Sequence, residues 1–156
     1  MMSVTQLQEE LTTVDALLHL LQREYDILKA RDLPALEQVV AEKQRCVDRL
    51  QDQIAARLGN LREHGFTADA QGMAAYLNRL PSADQIAATR LWTELEQLAV
   101  QLRNQNDING AVIAAGRSHI ERSLAILSGR DSLDFLYDQG TRKVFGGGQR
   151  GPIAKV

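Results

Sequence analysis

Large aromatic side chains are scarce in this chain, with one Trp, three Tyr and three Phe among 156 residues. Rings of that size fill the centre of many globular folds. Their scarcity beside 44% apolar and 24% charged residues points instead to helices packed along aliphatic stripes. Cysteine occurs once, at Cys46, which excludes an internal disulfide and fits a reducing compartment. Neither sign of charge dominates: 18 Lys and Arg face 20 Asp and Glu, for a formal net charge of −2. No basic excess is left to neutralise a phosphate backbone, so nucleic acid is not an expected partner. Nor does any run approach the ~20 apolar residues of a membrane span. Met1 to Glu10 has no basic region ahead of an apolar stretch, so no leader is read there. A cytosolic protein without direct membrane insertion is expected.

Recognisable catalytic chemistry is also lacking. His19, His64 and His119 lie on separate segments, so no metal site is expected. No strand pattern, no Gly-rich loop between a strand and a helix, and no Ser or Cys in a nucleophile context can be found. No cofactor and no enzymatic activity are therefore expected. Paired acids such as Glu9 and Glu10, or Glu94 and Glu96, read as a solvated helix face.

What is present is helical periodicity, divided by three prolines. Ser3 and Gln6 stand at capping-box spacing ahead of Val4, Leu7, Leu11, Val14, Leu18, Leu21, Tyr25 and Leu28, a heptad seam. The step of five from Leu28 to Leu33 breaks that register, and Asp32 with Pro34 provides the start of a second, antiparallel helix. Its stripe runs Leu33, Leu36, Val40, Val47, Leu50, Ile54 and Leu61 and passes through Lys43 and Arg57. Those two read as stems along the seam with charges reaching water. Gly65 ends this helix, and Thr67 is the expected cap of a short one through Met73, Ala74 and Leu77. After Pro81, Ser82 and Gln85 form a second capping-box pair opening the longest helix, which runs to Ser128 with Gly129 as its stop. The expected fold is all-α: an elongated antiparallel helical bundle or coiled coil of three long helices plus a short one over residues 1–129, with a flexible tail over 130–156. The tail clusters Leu133, Phe135, Leu136 and Tyr137 among aspartates. Beyond Gln139 it carries Arg142, Lys143, Arg150 and Lys155 with Gly146 to Gly148 and no acid.

The long helix is interrupted at Leu102–Ile113, where Asn104, Asn106, Asp107, Asn109 and Gly110 weaken a helix interior. Its stripe reads Leu91, Leu95, Leu98, Leu102, Asn106, Asn109, Ile113, Gly116, Ile120, Leu124 and Leu127. Asn106 and Asn109 are then either buried polar residues that fix helix register or part of a docking site for a partner segment. Gly110, costing ~1 kcal/mol relative to Ala, fits a close backbone approach or a bend. At 1.5 Å per residue the third long helix spans on the order of 70 Å, against ~48 Å and ~40 Å for the second and first. Its last turns would overhang, leaving Ile113, Ile120, Leu124 and Leu127 as an apolar stripe for an amphipathic partner. Cover by the short helix, the tail or a second copy in a homodimer is the alternative.

The heptad-like first helix, the long helix carrying Asn-x-x-Asn-Gly (Asn106 to Gly110) and a tail with Tyr-x-x-Gly (Tyr137 to Gly140) together resemble the FlgN family of flagellar type III export chaperones. The resemblance implies a cytosolic helical chaperone that binds the C-terminal segments of the hook-filament junction proteins FlgK and FlgL. It would prevent their premature assembly and deliver them to the flagellar export gate and ATPase complex. By the same resemblance Asn106, Asn109 and Gly110 belong to the substrate-binding region, and Tyr137 is the residue that docks on the export gate. The chain departs from the family in its basic, glycine-rich extension beyond Gly140. The competing expectations are a structural coiled-coil subunit that dimerises or joins a stable complex, and a ligand-sensing bundle with a polar pocket at Asn106 and Asn109.

Overall fold

In the computed structural model, residues 2–127 are described. They form α1 (Val4–Ala30), α2 (Leu33–Glu63), α3 (Ala70–Asn78) and α4 (Ser82–Leu127), and no strand occurs among them. The expected flexible tail from 130 onward lies outside the described residues. No helix among those described is long and apolar enough to cross a membrane.

Local chemistry sets each boundary. The Ser3 hydroxyl accepts from Gln6 N at 3.2 Å, and Gln6 Oε1 accepts from Ser3 N at 2.8 Å, completing the capping box of α1. Arg31 closes α1 in the left-handed conformation at φ 55°, and Asp32 Oδ1 accepts from Ala35 N at 3.2 Å to open α2. Gly65 at φ 79° lets the chain turn back after α2, where Phe66 N donates to Leu61 O at 2.9 Å. Two of the expected caps are corrected. Asp69, not Thr67, caps α3: its Oδ1 accepts from Gly72 N at 2.8 Å and from the Thr67 hydroxyl at 2.6 Å. These bonds, the hydroxyl's foremost, hold the Asp69 carboxyl below its ordinary range. The cap therefore contributes above that range and is lost as pH falls through the depressed value. Ser82 is already inside α4, whose first backbone bond runs from Gln85 N to Pro81 O at 2.8 Å.

α1 runs antiparallel to α2 and parallel to α4, as the pairings Glu10–Arg57, Glu24–Lys43 and Asn109–Leu21 require. One apolar cluster gathers Met2 and Leu7 of the first segment, Leu61, Met73, Tyr76 and Leu77, and Ala88 of α4. A second gathers Val14, Leu17 and Leu50, with Cys46, Ile54, Leu98 and Leu102 against it. The single seam expected on α1 is too narrow. Leu7, Leu11, Val14, Leu18 and Leu21 are buried as expected, and Glu10, Thr13, Leu17 and Glu24 beside them are buried too. α1 needs this wider face because α2 and α4 both pack on it. At the start of α2 the register also differs. Val39 is fully buried while Val40 and Leu33 are exposed, because the stripe steps by three from Leu36 instead of four.

The charged residues on the seams overturn two further expectations. Lys43 and Arg57 do not carry their charges to water, and Glu10 is no part of a solvated face. Arg57 grips Glu10 through Nε at 3.0 Å and Nη2 at 3.1 Å, with Glu10 only 2% exposed. The Arg57 guanidinium also lies 4.8 Å from the centre of the Trp92 ring on α4. Two heptads along, Lys43 Nζ donates to Glu24 Oε2 at 2.7 Å, and Glu24 is likewise 2% exposed. A carboxylate so placed is tolerated only with partners that satisfy it.

α3 closes one end of this arrangement. The buried Tyr76 hydroxyl donates to Met2 O at 2.7 Å, and its ring meets Phe66 edge-on at 5.6 Å. Burial pushes the Tyr76 hydroxyl and the Cys46 thiol above their ordinary ranges. Contacts divide the chain between Val112 and Ile113, inside α4.

Gly72 is packed under the Thr67 main chain, and a Cβ there would run into the Thr67 carbonyl. Gly59 in α2 has nothing near its added Cβ. Gly72→Ala should therefore cost about 2 kcal/mol, while Gly59→Ala should gain about 0.5–1 kcal/mol. Urea unfolding of the two variants checks the opposite signs, and equal effects would show that the Thr67 turn yields freely.

Candidate functional site

The asparagine stretch does not break the long helix: α4 is continuous from Ser82 to Leu127. The two asparagines have different environments. Asn109 is 1% exposed, whereas Asn106 is exposed. The inward stripe steps by three from Leu102 to Gln105 and then by four to Asn109, keeping strict heptad spacing; drawing it through Asn106 was the error. Asn109 Nδ2 donates to Leu21 O at 2.8 Å and to Glu24 Oε1 at 2.9 Å, and its Oδ1 accepts from Gln105 Nε2 at 2.9 Å. Both amide hydrogens are thus used inside the bundle, and no polar pocket is built from Asn106 and Asn109 together. Gly110 is exposed with nothing within reach of an added Cβ, so neither a close backbone approach nor a break in the helix explains it.

Glu24 and Gln105 are the partners of Asn109 that sequence reasoning passed over. The signal was available for Glu24: it continues the α1 heptad by three from Leu21 and faces Lys43 in the same register that pairs Glu10 with Arg57.

Beyond Val112, Ile113 and Ile120 are exposed, Ile120 at 60%, and Leu124 is 56% exposed. At about 100° per residue, Ile113, Arg117, Ile120 and Leu124 fall within about 60° of one another. They form one apolar row with a single cation in it. Leu127 ends the helix; its side chain, like Tyr137, lies outside what the structure describes. Elsewhere a hollow of about 230 Å³ is bordered by Gln6, Glu9, Glu10, Asp52, Gln53 and Arg57, of which Glu10 and Arg57 are engaged with each other. Asp15, one turn before His19, brings its carboxylate within 3.6 Å of the ring, a neighbour the sequence reading overlooked. No group of three or more His, Cys, Asp or Glu suited to a metal ion occurs among the described residues.

These features define an all-α bundle with two charged layers buried inside it, and an apolar row on the last turns of its longest helix. The chain belongs to the FlgN family: the family described as FlgN protein matches residues 3–143. Among solved structures it is similar to a flagella synthesis protein FlgN from Pseudomonas aeruginosa. The two share 29% identity and a TM-score of 0.64 over 70% of this chain and 84% of that one. No curated protein matches the sequence.

Asn109→Ala would leave Glu24 Oε1 without its amide donor in a buried site. A loss of about 2–3 kcal/mol is expected, or roughly 6–9 °C in Tm. Asn106→Ala should stay within about 0.5 kcal/mol of the unmodified chain. Thermal melts of both variants decide the matter, and similar losses would remove Asn109 as the residue that sets helix register.

Proposed function

We propose that this protein is a cytosolic export chaperone for flagellar hook-filament junction proteins. It binds the C-terminal segments of FlgK and FlgL, prevents their premature assembly and delivers them to the flagellar type III export apparatus. The observation that carries the reading is family membership across residues 3–143, and the similarity to a flagella synthesis protein agrees with it. The apolar row of Ile113, Ile120 and Leu124, with Leu127 continuing it in sequence, is the client face.

Physical chemistry supports this kind of task. A terminal segment that is disordered when free exposes apolar residues, and an amphipathic helix face hides them at modest affinity because ordering the segment opposes binding. No catalytic step is needed, and release requires only a competing receptor. Within the family's substrate-binding region, Asn106 and Gly110 are exposed and open to contact with the client. Asn109 contributes by fixing α4 against α1. Tyr137, carried over from the family resemblance, is the residue proposed to dock on the export gate.

Isothermal titration with C-terminal fragments of FlgK and FlgL should show saturable one-to-one binding with a negative heat-capacity change. Ile120→Asp combined with Leu124→Asp should weaken it by more than about 100-fold with helical content preserved by circular dichroism. Retained binding in that variant would remove α4 as the client site. Concentration-dependent sedimentation of the free chain, without client binding, would favour the structural homodimer instead.

Tyr137→Ala should leave client titrations unchanged and weaken capture by the export gate. Loss of both would place Tyr137 within the client site.

A further inference from the structure

The bundle treats a base in an apolar stripe in one way. On α2 the stripe is interrupted by Lys43 and Arg57, and each is met by a glutamate of the helix that covers it, Lys43 by Glu24 at 2.7 Å and Arg57 by Glu10 at 3.0 Å. Both glutamates have the same setting, an apolar residue three positions before and another four after: Leu7 and Val14 around Glu10, Leu21 and Leu28 around Glu24. On a helix those positions share a face with the acid.

Arg117 repeats the interruption on the last turns of α4. Ile113 lies one turn before it, and Ile120 and Leu124 lie one and two turns after, all three exposed. Arg117 is exposed as well and forms no ion pair among the described residues. Glu121, the nearest acid in sequence, stands about 40° further round the helix and is not paired with it. Whatever covers the row therefore takes a cation into its apolar face, and a covered charge without a partner is strongly unfavourable. A second copy does not meet that demand. Laid antiparallel along the row, it sets each Arg117 on the other's Ile120; laid parallel in register, it sets the two arginines against each other.

We infer that Arg117 selects the occupant of this row: an amphipathic helical segment of the client whose apolar face carries one side-chain carboxylate, in the spacing Leu-x-x-Glu-x-x-x-Leu that α1 uses. The inference rests on the client-face reading above and adds to it the chemistry of the partner. An aliphatic row without the arginine accepts any amphipathic segment, whereas Arg117 penalises those whose apolar face lacks an acid. Ile113, Ile120 and Leu124 supply contact area, and Arg117 supplies the choice.

The test titrates the full chain, Arg117→Gln and Arg117→Glu with two probes. One is the FlgK C-terminal fragment, amidated at its end, with each of its acids replaced in turn by the amide or by lysine. The other is a synthetic helical peptide built on Leu-x-x-Glu-x-x-x-Leu, with a twin carrying Gln for Glu. Arg117→Gln should bind the fragment about tenfold more weakly. Replacing one particular acid of the fragment by its amide should give the same loss, and the two losses should not add. Arg117→Glu should bind about 100-fold more weakly and recover with the fragment that carries lysine at that acid. Salt should weaken binding to the unmodified chain more than to Arg117→Gln. Fragment binding that ignores Arg117 yet is lost in Ile120→Asp with Leu124→Asp overturns the inference and leaves the client face standing. A preference for the Glu peptide over its Gln twin that vanishes in Arg117→Gln, with no fragment bound, supports the selection and removes the FlgK assignment. Failure of both probes to bind, or a dimer of the unmodified chain that buries the row, overturns it.

Discussion

Two glutamates that the fold buries on α1 constrain how its helices meet. Aliphatic heptad seams are nearly indifferent to a shift of seven residues, since one leucine replaces another. Glu10 and Glu24 are not indifferent. With Arg57 opposite Glu10 and Lys43 opposite Glu24, a slip of one heptad in one direction sets both carboxylates against leucines, Leu50 and Leu36. A slip in the other direction sets them against His64 and Leu50. An unpaired buried charge costs several kcal/mol, so the hairpin of α1 and α2 has one acceptable register. The same glutamates then reach α4, one through the Arg57 guanidinium over Trp92 and the other through the Asn109 amide. Two charged layers thus align all three long helices, which their apolar side chains alone could not do.

This explains why a polar run is placed in the middle of a long helix. Each of its residues weakens the helix locally, yet α4 remains continuous, and Asn109 gains two donor bonds to α1 that only the assembled bundle provides, beside one accepted from Gln105 on its own helix. The local penalty is offset by specificity, and a polar residue at a single seam position is a well-attested register device. Asn106, three residues earlier, takes no part in this.

Much of the fold could be read from the chain before any coordinates. The caps at Ser3 and Asp32, the turn between the first two helices, and the glycine stop at Gly65 rest on side-chain and backbone chemistry confined to a few neighbouring residues, so local spacing was enough. The failures on the charged residues have one physical origin. Whether Lys43, Arg57 and Glu10 face water or each other depends on partners dozens of residues away, and a single helix read in isolation shows only that a charge interrupts a stripe. Breadth of burial on α1 was hidden for the same reason, because a helix gripped from two sides needs two adjacent stripes. Reading the two interrupted stripes against each other at antiparallel register would have exposed both ion pairs. Thr67 was mistaken for a cap because its hydroxyl does serve the cap, through Asp69.

The shortage of aromatic rings bears on function as well as on fold. Strong, slowly dissociating interfaces are usually anchored by Trp, Tyr or Arg in desolvated pockets. The row on the last turns of α4 offers two isoleucines, a leucine and one arginine, which can hide apolar surface without fixing it deeply. On the proposed reading that weakness is useful, because a client held by scattered aliphatic contacts can be handed to a receptor without nucleotide-driven work. A protein that must release what it binds gains little from tight anchoring. Rigidity is needed elsewhere, in the register of the bundle, where the buried charges supply it. The two demands are met by different chemistry on one helix: polar and saturated at Asn109, aliphatic and exposed at Ile113 and Ile120.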